Sequence, residues 1–207
     1  MLEEELDKTV KTTFNYLPED HYLKSSKKFR KRRYSTGSII DNIFSWDTAI
    51  SEFEQNILNN NYLGGIKRKY ESLCSTIKSF VSDKLIQKII LSLPNRNYKV
   101  GVHQIRVIAN DTTMGVPVPE GIHQDGFDYV FILCVSNKNV IGGNSILLTS
   151  KNYKDIFFEY VLQPKDCLLI NDRKLFHYTS PIVPKLPGKC TRDVIIITFI
   201  NNKFNNT

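Results

Sequence analysis

Of the four histidines in the 207 residues, one opens the triplet His123-Gln124-Asp125. On a strand, residues i and i+2 project from one face, so this imidazole and this carboxylate converge on one point. They are two of the three donors of a 2-His-1-carboxylate set, which suits a ferrous ion and leaves coordination positions open. Random placement of four histidines and 12 aspartates gives about 0.23 such pairs in a chain of this length, so the pair alone decides little. His177 adds to it. It follows the apolar run 167–171 and lies 52 residues after Asp125, room for several strands to bring it alongside. Arg192 comes fifteen residues later and opens the run Val194-Ile-Ile-Ile-Thr-Phe-Ile200. A guanidinium among Val, Ile and Phe needs an anion to offset its desolvation, and its planar fork matches a carboxylate. Its neighbour Asp193 would face the opposite side of a strand.

The elements that must position these groups fall into two halves. From residue 98 onward, short β-branched and aromatic runs alternate with turn residues, predicting strands at 99–109, 129–135, 145–149, 157–162, 167–171 and 193–201. No helices alternate with them, which argues against a parallel sheet and for an antiparallel double sheet. The first half has apolar residues at three- and four-residue spacing, predicting helices at 3–16, 44–63 and 66–93, the last closed by Pro94. Residues 17–38 lack a clear period and read as a loop with a strand at 29–34. The expected fold is α+β, a double-stranded β-helix (jelly roll) with N-terminal helices packed on one sheet. Residues 1–207 read as a single domain, with 1–97 a mainly helical support region and 98–207 the jelly-roll core.

Charge and cysteine usage narrow the function classes. The net charge of +7 comes from one cluster: Lys24, Lys27, Lys28, Arg30, Lys31, Arg32 and Arg33 supply seven of the 28 cations, and the other 21 balance the 21 anions. A basic run can serve as a nucleic-acid patch. With only Phe29 and Tyr34 beside it, a stacking platform is not indicated. A strand with a few arginines turned inward is the preferred reading. Cys74, Cys134, Cys167 and Cys190 form no C-x-x-C pair and read as reduced thiols. The longest apolar stretch, 194–200, is far short of the roughly 20 residues of a spanning helix. The acidic start is unlike a signal peptide, so a cytoplasmic location is expected.

The ordered set H-x-D, His and Arg resembles the Fe(II)/2-oxoglutarate dioxygenases, and within them the bacterial free-amino-acid hydroxylases of the isoleucine dioxygenase type. The resembling text is Gly101-Val-His-Gln-Ile-Arg106, Pro119-Glu-Gly-Ile-His-Gln-Asp-Gly126, Ile141-Gly-Gly143, Phe176-His-Tyr-Thr-Ser-Pro181 and Arg192-Asp-Val-Ile-Ile-Ile-Thr-Phe199. The segment Arg30-Lys-Arg-Arg-Tyr-Ser35 is similar to an arginine-rich stretch of that branch. Where some relatives carry an arginine before the Asn and Gly-Gly, Lys138 stands here.

This resemblance implies that His123, Asp125 and His177 bind Fe(II) and that Arg192 holds the far carboxylate of the co-substrate 2-oxoglutarate. With O2, the chain would hydroxylate an unactivated C–H bond of a free L-amino acid or similar small metabolite. Gln104 and Arg106 share a strand face; Gln104 would bond to the co-substrate and Arg106 to a substrate carboxylate, a surface ion pair being the competing reading for Arg106. Asp128 and Glu120 flank the metal motif, and either would accept an α-ammonium. Arg30, Arg32 and Tyr34 alternate to one face of a strand and would close the pocket on an anionic substrate. His103 reads as a packing histidine. The alternatives are a non-redox, cupin-like metal or small-ligand binding protein, and a nucleic-acid factor built on the basic run. The small-molecule reading leaves oligomeric state open.

Overall fold

A computed structural model describes residues 6–23, 28–49, 52–60 and 62–201. The start of the expected first helix, Lys24 and Lys27 of the basic cluster, and Ile50 lie outside these residues. Among the described residues, thirteen strands build the fold. They are β1 (Arg30–Ile40), β2 (Ile43–Trp46), β3 (Glu52–Phe53), β4 (Arg68–Lys69), β5 (Tyr98–Ala109), β6 (Tyr129–Lys138) and β7 (Val140–Gly142). After these come β8 (Ser145–Leu148), β9 (Ile156–Tyr160), β10 (Cys167–Asn171), β11 (Phe176–Thr179), β12 (Ile182–Pro184) and β13 (Cys190–Asn201). Six of them form one antiparallel sheet in the order β10-β6-β13-β5-β1-β2. The short sheets β11-β8-β9 and β12-β7 oppose it. This is the expected double-stranded β-helix.

The large sheet is apolar on both faces because each face is covered. On one face Val100, Val102, Leu133, Val135, Ile195, Ile197 and Phe199 pack against the helices. On the other, Ile105, Val107, Val130, Ile132, Cys134 and Val194 meet Leu147 and Ile182 of the short sheets. Residues adjacent along β5 therefore belong to different compartments, and that alternation decides which side chains can reach the site.

The helical layer consists of α1 (Lys8–Thr13), capped by the Asp7 side chain, and a second helix. The latter runs from α2 (Ser75–Phe80) through a π turn (Val81–Ile86) into α3 (Gln87–Ile90). Its buried residues Ile77, Val81, Leu85 and Ile89 recur every fourth position. At about 3.6 residues per turn a regular α-helix would carry that stripe around its surface. The wider π turn brings it back toward the sheet.

Among the described residues the predicted helix at 44–63 does not form, and the predicted helix at 66–93 forms only over Ser75–Ile90, residues 66–74 being extended or coil. Asp41 and Asn42 both adopt positive φ and make a two-residue hairpin that sends Ile43–Trp46 back along β1. Farther on, the Asn56 side chain accepts the N–H of Leu58, and the Asn60 side chain those of Tyr62 and Leu63. These local bonds compete with helical ones. The segment instead lies across the open end of the double sheet. The basic run is β1, paired with β5 from Arg30↔Val107 to Ile39↔Tyr98.

Candidate metal centre

His123 and His177 meet through their backbones: each donates its N–H to the other's carbonyl, at 3.1 and 2.8 Å. This single bridge joins the loop before β6 to β11 and sets the two rings 4.3 Å apart, centroid to centroid. Asp125 completes the group. Its Oδ1 is 3.2 Å from His123 Nε2 and its Oδ2 3.4 Å from His177 Nε2. One donor atom from each residue lies within 4.8 Å of the others, a spacing at which one ion can be shared. The expected strand geometry of H-x-D is replaced by a loop. There the Asp172 carboxylate accepts the backbone N–H groups of Asp125, Gly126 and Phe127 at 3.1, 2.8 and 3.0 Å.

The electrostatics favour a cation. Burial opposes ionisation of Asp125, but the two imidazoles outweigh it and hold its carboxyl well below the usual range. Burial likewise opposes protonation of His177, yet Asp125 and Asp172 push its pKa up to about 10. Two buried carboxylates around one imidazole thus demand positive charge, which a divalent ion supplies as well as a proton does. The His123 Nδ1 lies 3.0 Å from the Gly121 carbonyl oxygen, so Nδ1 carries the proton and Nε2 is free to ligate.

A cavity of about 100 Å³ opens beside the three residues. Ile132, Ile196 and Thr198 of the large sheet form its floor, and Phe53, Gln55, Asn60 and Arg68 of the crossing segment form its roof. Gln55 donates to Asp125 Oδ1 at 2.5 Å and accepts from both Asn60 and Arg68 at 2.9 Å. Sequence reasoning missed this roof because it assigned the segment to a helix. It also missed Asp172, for which its place five residues before His177 was the only signal.

The other expected site residues divide. Arg192 is buried on the same face of β13 as Val194, Ile196 and Thr198, outside the open part of the cavity. Among the described residues its Nη2 has no hydrogen-bond partner, and burial lowers its pKa. Gly143, at φ 73°, lets it pass: a Cβ there would lie 3.2 Å from Arg192 Cδ. Glu120 lines the cavity with Oε1 3.8 Å from His123 Nε2. Arg30 lines it too, but its Nε is paired with Asp20 at 2.8 Å.

Gln104, Arg106 and Asp128 do not reach the cavity. Gln104 and Arg106 share a face, as expected, but it is the helix face. Gln104 donates to Thr13 Oγ1 at 2.7 Å, and Arg106 forms a two-pronged pair with Asp193 at 2.6 and 2.7 Å. Their neighbour His103, read as packing, points into the cavity instead. Asp128 accepts from Arg173 Nε and from the Asn201 backbone. None of these three lines the cavity beside His123, Asp125 and His177.

The donor set fits an oxygen-activating ferrous site, and the unsatisfied Arg192 fits a carboxylate ligand on the same sheet face. A model of the 2OG-Fe dioxygenase family matches residues 11–198. The chain belongs to that family. Fe(II), 2-oxoglutarate and O2 are the cofactor and co-substrates of 2OG-Fe dioxygenases. Among curated proteins, the chain is 24% identical over 148 residues to an L-isoleucine-4-hydroxylase of Bacillus thuringiensis, covering 66% of this chain and 60% of the relative. It is 28% identical over 111 residues to a 3(1)-hydroxy-L-isoleucine 4-dioxygenase of Pantoea ananatis (strain AJ13355), covering 53% and 44%. The matched part is thus less than two thirds of either relative. Two solved structures share the dioxygenase fold. A bsmA homologue from Methylobium petroleophilum PM1 superposes with a TM-score of 0.78 at 21% identity, covering 94% of this chain and 80% of that one. IDO from Bacillus thuringiensis gives 0.76 at 21% identity, covering 98% and 90%. Among the described residues, no helix is long and apolar enough to cross a membrane.

Proposed function

We propose that the chain is an Fe(II)- and 2-oxoglutarate-dependent dioxygenase that hydroxylates an unactivated C–H bond of a free L-amino acid or a similar small metabolite. The observation that carries this reading is the convergence of His123, Asp125 and His177 beside a small cavity. Residues 1–207 act as one dioxygenase domain in the cytoplasm, a location suited to its four free thiols.

His123, Asp125 and His177 hold the iron, with Asp172 fixing the loop that carries Asp125. Arg192 takes the distal carboxylate of 2-oxoglutarate, which satisfies its unpartnered Nη2. Bound together, Fe(II), 2-oxoglutarate and O2 supply the oxidising power to insert oxygen into a C–H bond, with succinate and CO2 as co-products. The protein's own part is to orient and to keep water out. Phe53, Phe127, Ile132 and Ile196 line the cavity with apolar surface. Glu120, on the metal side, is placed to accept an α-ammonium. The names of the curated relatives favour an amino acid.

The test is incubation with Fe(II), 2-oxoglutarate, O2 and each proteinogenic L-amino acid in turn. Succinate should form in step with a product one oxygen atom heavier, and His123→Ala and Asp125→Ala should form neither. If no amino acid stimulates succinate formation in protein that binds metal and 2-oxoglutarate, the substrate reading is wrong.

A further inference from the structure

Three polar groups on the cavity wall are not explained by the metal centre. Arg32 and Arg68 both line the cavity and both are buried, at 6% and 2% exposure. Among the described residues neither has a carboxylate within ion-pair distance, whereas Arg30 beside them has Asp20. Each leaves its Nε–H without an acceptor. Their guanidinium carbons lie 4.8 and 4.5 Å from the centroid of the same Phe53 ring, so two like charges are held beside one aromatic side chain. Such an arrangement is unfavourable unless a counter-charge arrives.

His103 is the third group. Arg32 Nη2 lies 2.7 Å from His103 Nδ1. A guanidinium can only donate, so Nδ1 must accept and the ring proton must sit on Nε2. Burial and the Arg32 charge lower the His103 pKa well below its ordinary value, which keeps the ring neutral. The ring is clamped between Tyr34, stacked at 4.3 Å, and the edge of Phe53 at 4.6 Å. Among the described residues, the contact of Nε2 within hydrogen-bond range is Arg32 Nη2 at 3.4 Å, itself a donor. Among the described residues, the Nε–H groups of Arg32 and Arg68 and the Nε2–H of His103 therefore line one cavity without an acceptor of their own.

We infer that Arg32, Arg68 and the Nε2–H of His103 form an anion subsite that binds the carboxylate of the substrate. The subsite is distinct from Arg192, and it rests on the dioxygenase reading only for what is then done to the substrate. It is coupled to the metal centre, because Arg68 bonds to Gln55 and Gln55 to Asp125. Filling the subsite thus bears on the carboxylate that holds the metal. Substrates lacking a carboxylate, such as amines and amino-acid amides, are discriminated against because they leave the two guanidiniums uncompensated.

The test is calorimetric binding to protein loaded with Fe(II) and 2-oxoglutarate under strict exclusion of O2. The probes are L-amino acids, other small monocarboxylates, and the primary amide of each. Wild-type protein should bind the best acid at least about twentyfold more tightly than its amide. Arg32→Gln and Arg68→Gln should each remove most of that preference, weakening the acid while leaving the amide within about twofold. Equal binding of acid and amide by the wild type, or equal loss of both in the variants, overturns the subsite. Because the acid-to-amide ratio is read on wild-type protein, the result stands even if a variant folds poorly. Preference for carboxylates other than amino acids would retain the subsite while removing the amino-acid reading, so the two fail separately.

Discussion

His123 and His177, 54 residues apart in the chain, exchange backbone hydrogen bonds in both directions. The distance between the two candidate ligands is therefore set by main chain, and it survives loss of either side chain. His177→Ala should fold with an unchanged circular dichroism spectrum while its Mn(II) affinity falls by more than about a hundredfold. Equilibrium dialysis checks this directly.

Asp172 is expected to matter almost as much, although it need not touch the metal. Its carboxylate gathers three successive N–H groups and lies 3.1 Å from His177 Nε2. Asp172→Asn replaces one acceptor oxygen with a donor facing those N–H groups. Metal affinity should drop roughly 10- to 100-fold, in the range seen when outer-shell partners of metal ligands are removed. Titration with Mn(II) followed by electron paramagnetic resonance measures it.

Metal binding should release a proton at neutral pH. In the metal-free protein the pKa of His177 is raised to about 10 from its ordinary 6.5, so its ring is charged at pH 7. The stability contributed by that raised value is complete below pH 6.5 and is lost as pH rises toward 10. Metal-free protein should accordingly become easier to unfold across that window. Mn(II) affinity should rise by about tenfold per pH unit there, one proton being displaced per ion. Calorimetry in buffers of different ionisation enthalpy counts the proton.

Behind the site, Arg106 and Asp193 form a buried two-pronged pair on the helix face, with Asn15 and Ser136 completing their hydrogen bonds. Arg106→Met leaves Asp193 buried and unpaired and should cost about 3–5 kcal/mol in urea unfolding. Adding Asp193→Leu should recover much of that loss. The acid-to-amide preference should not depend on Arg106, which distinguishes this structural pair from the cavity arginines.

The strand half was legible because apolar runs bounded by turn residues leave little choice of element, and His123, Asp125, His177 and Arg192 stood out by type and order. Strand alternation also assigned Gln104 and Arg106 to one face and His103 to the other. It could not say which face met the cavity, since both faces of the large sheet are covered by apolar layers and look alike in sequence. The crossing segment misled for a different reason. Trp46, Phe53 and Ile57 fall at near-helical spacing, but the Asp41-Asn42 turn and the side-chain bonds of Asn56 and Asn60 take the chain out of helical geometry. With that segment misassigned, Phe53, Gln55, Asn60 and Arg68 were invisible as site residues. The inward alternation of Arg30, Arg32 and Tyr34 was readable. Which arginine already has a partner was not, because Asp20 is brought to Arg30 only by the fold.

The central claim is that His123, Asp125 and His177 share one ferrous ion, with 2-oxoglutarate reaching from it to Arg192. Visible absorption of the protein with Fe(II) and 2-oxoglutarate, in the absence of O2, tests it most directly. A weak metal-to-ligand charge-transfer band is expected for the wild type and for Arg106→Met. It should vanish in Asp125→Ala and, in Arg192→Met, require about a hundredfold more 2-oxoglutarate. A band of undiminished strength in Asp125→Ala, or none in wild-type protein saturated with both, would contradict the assignment.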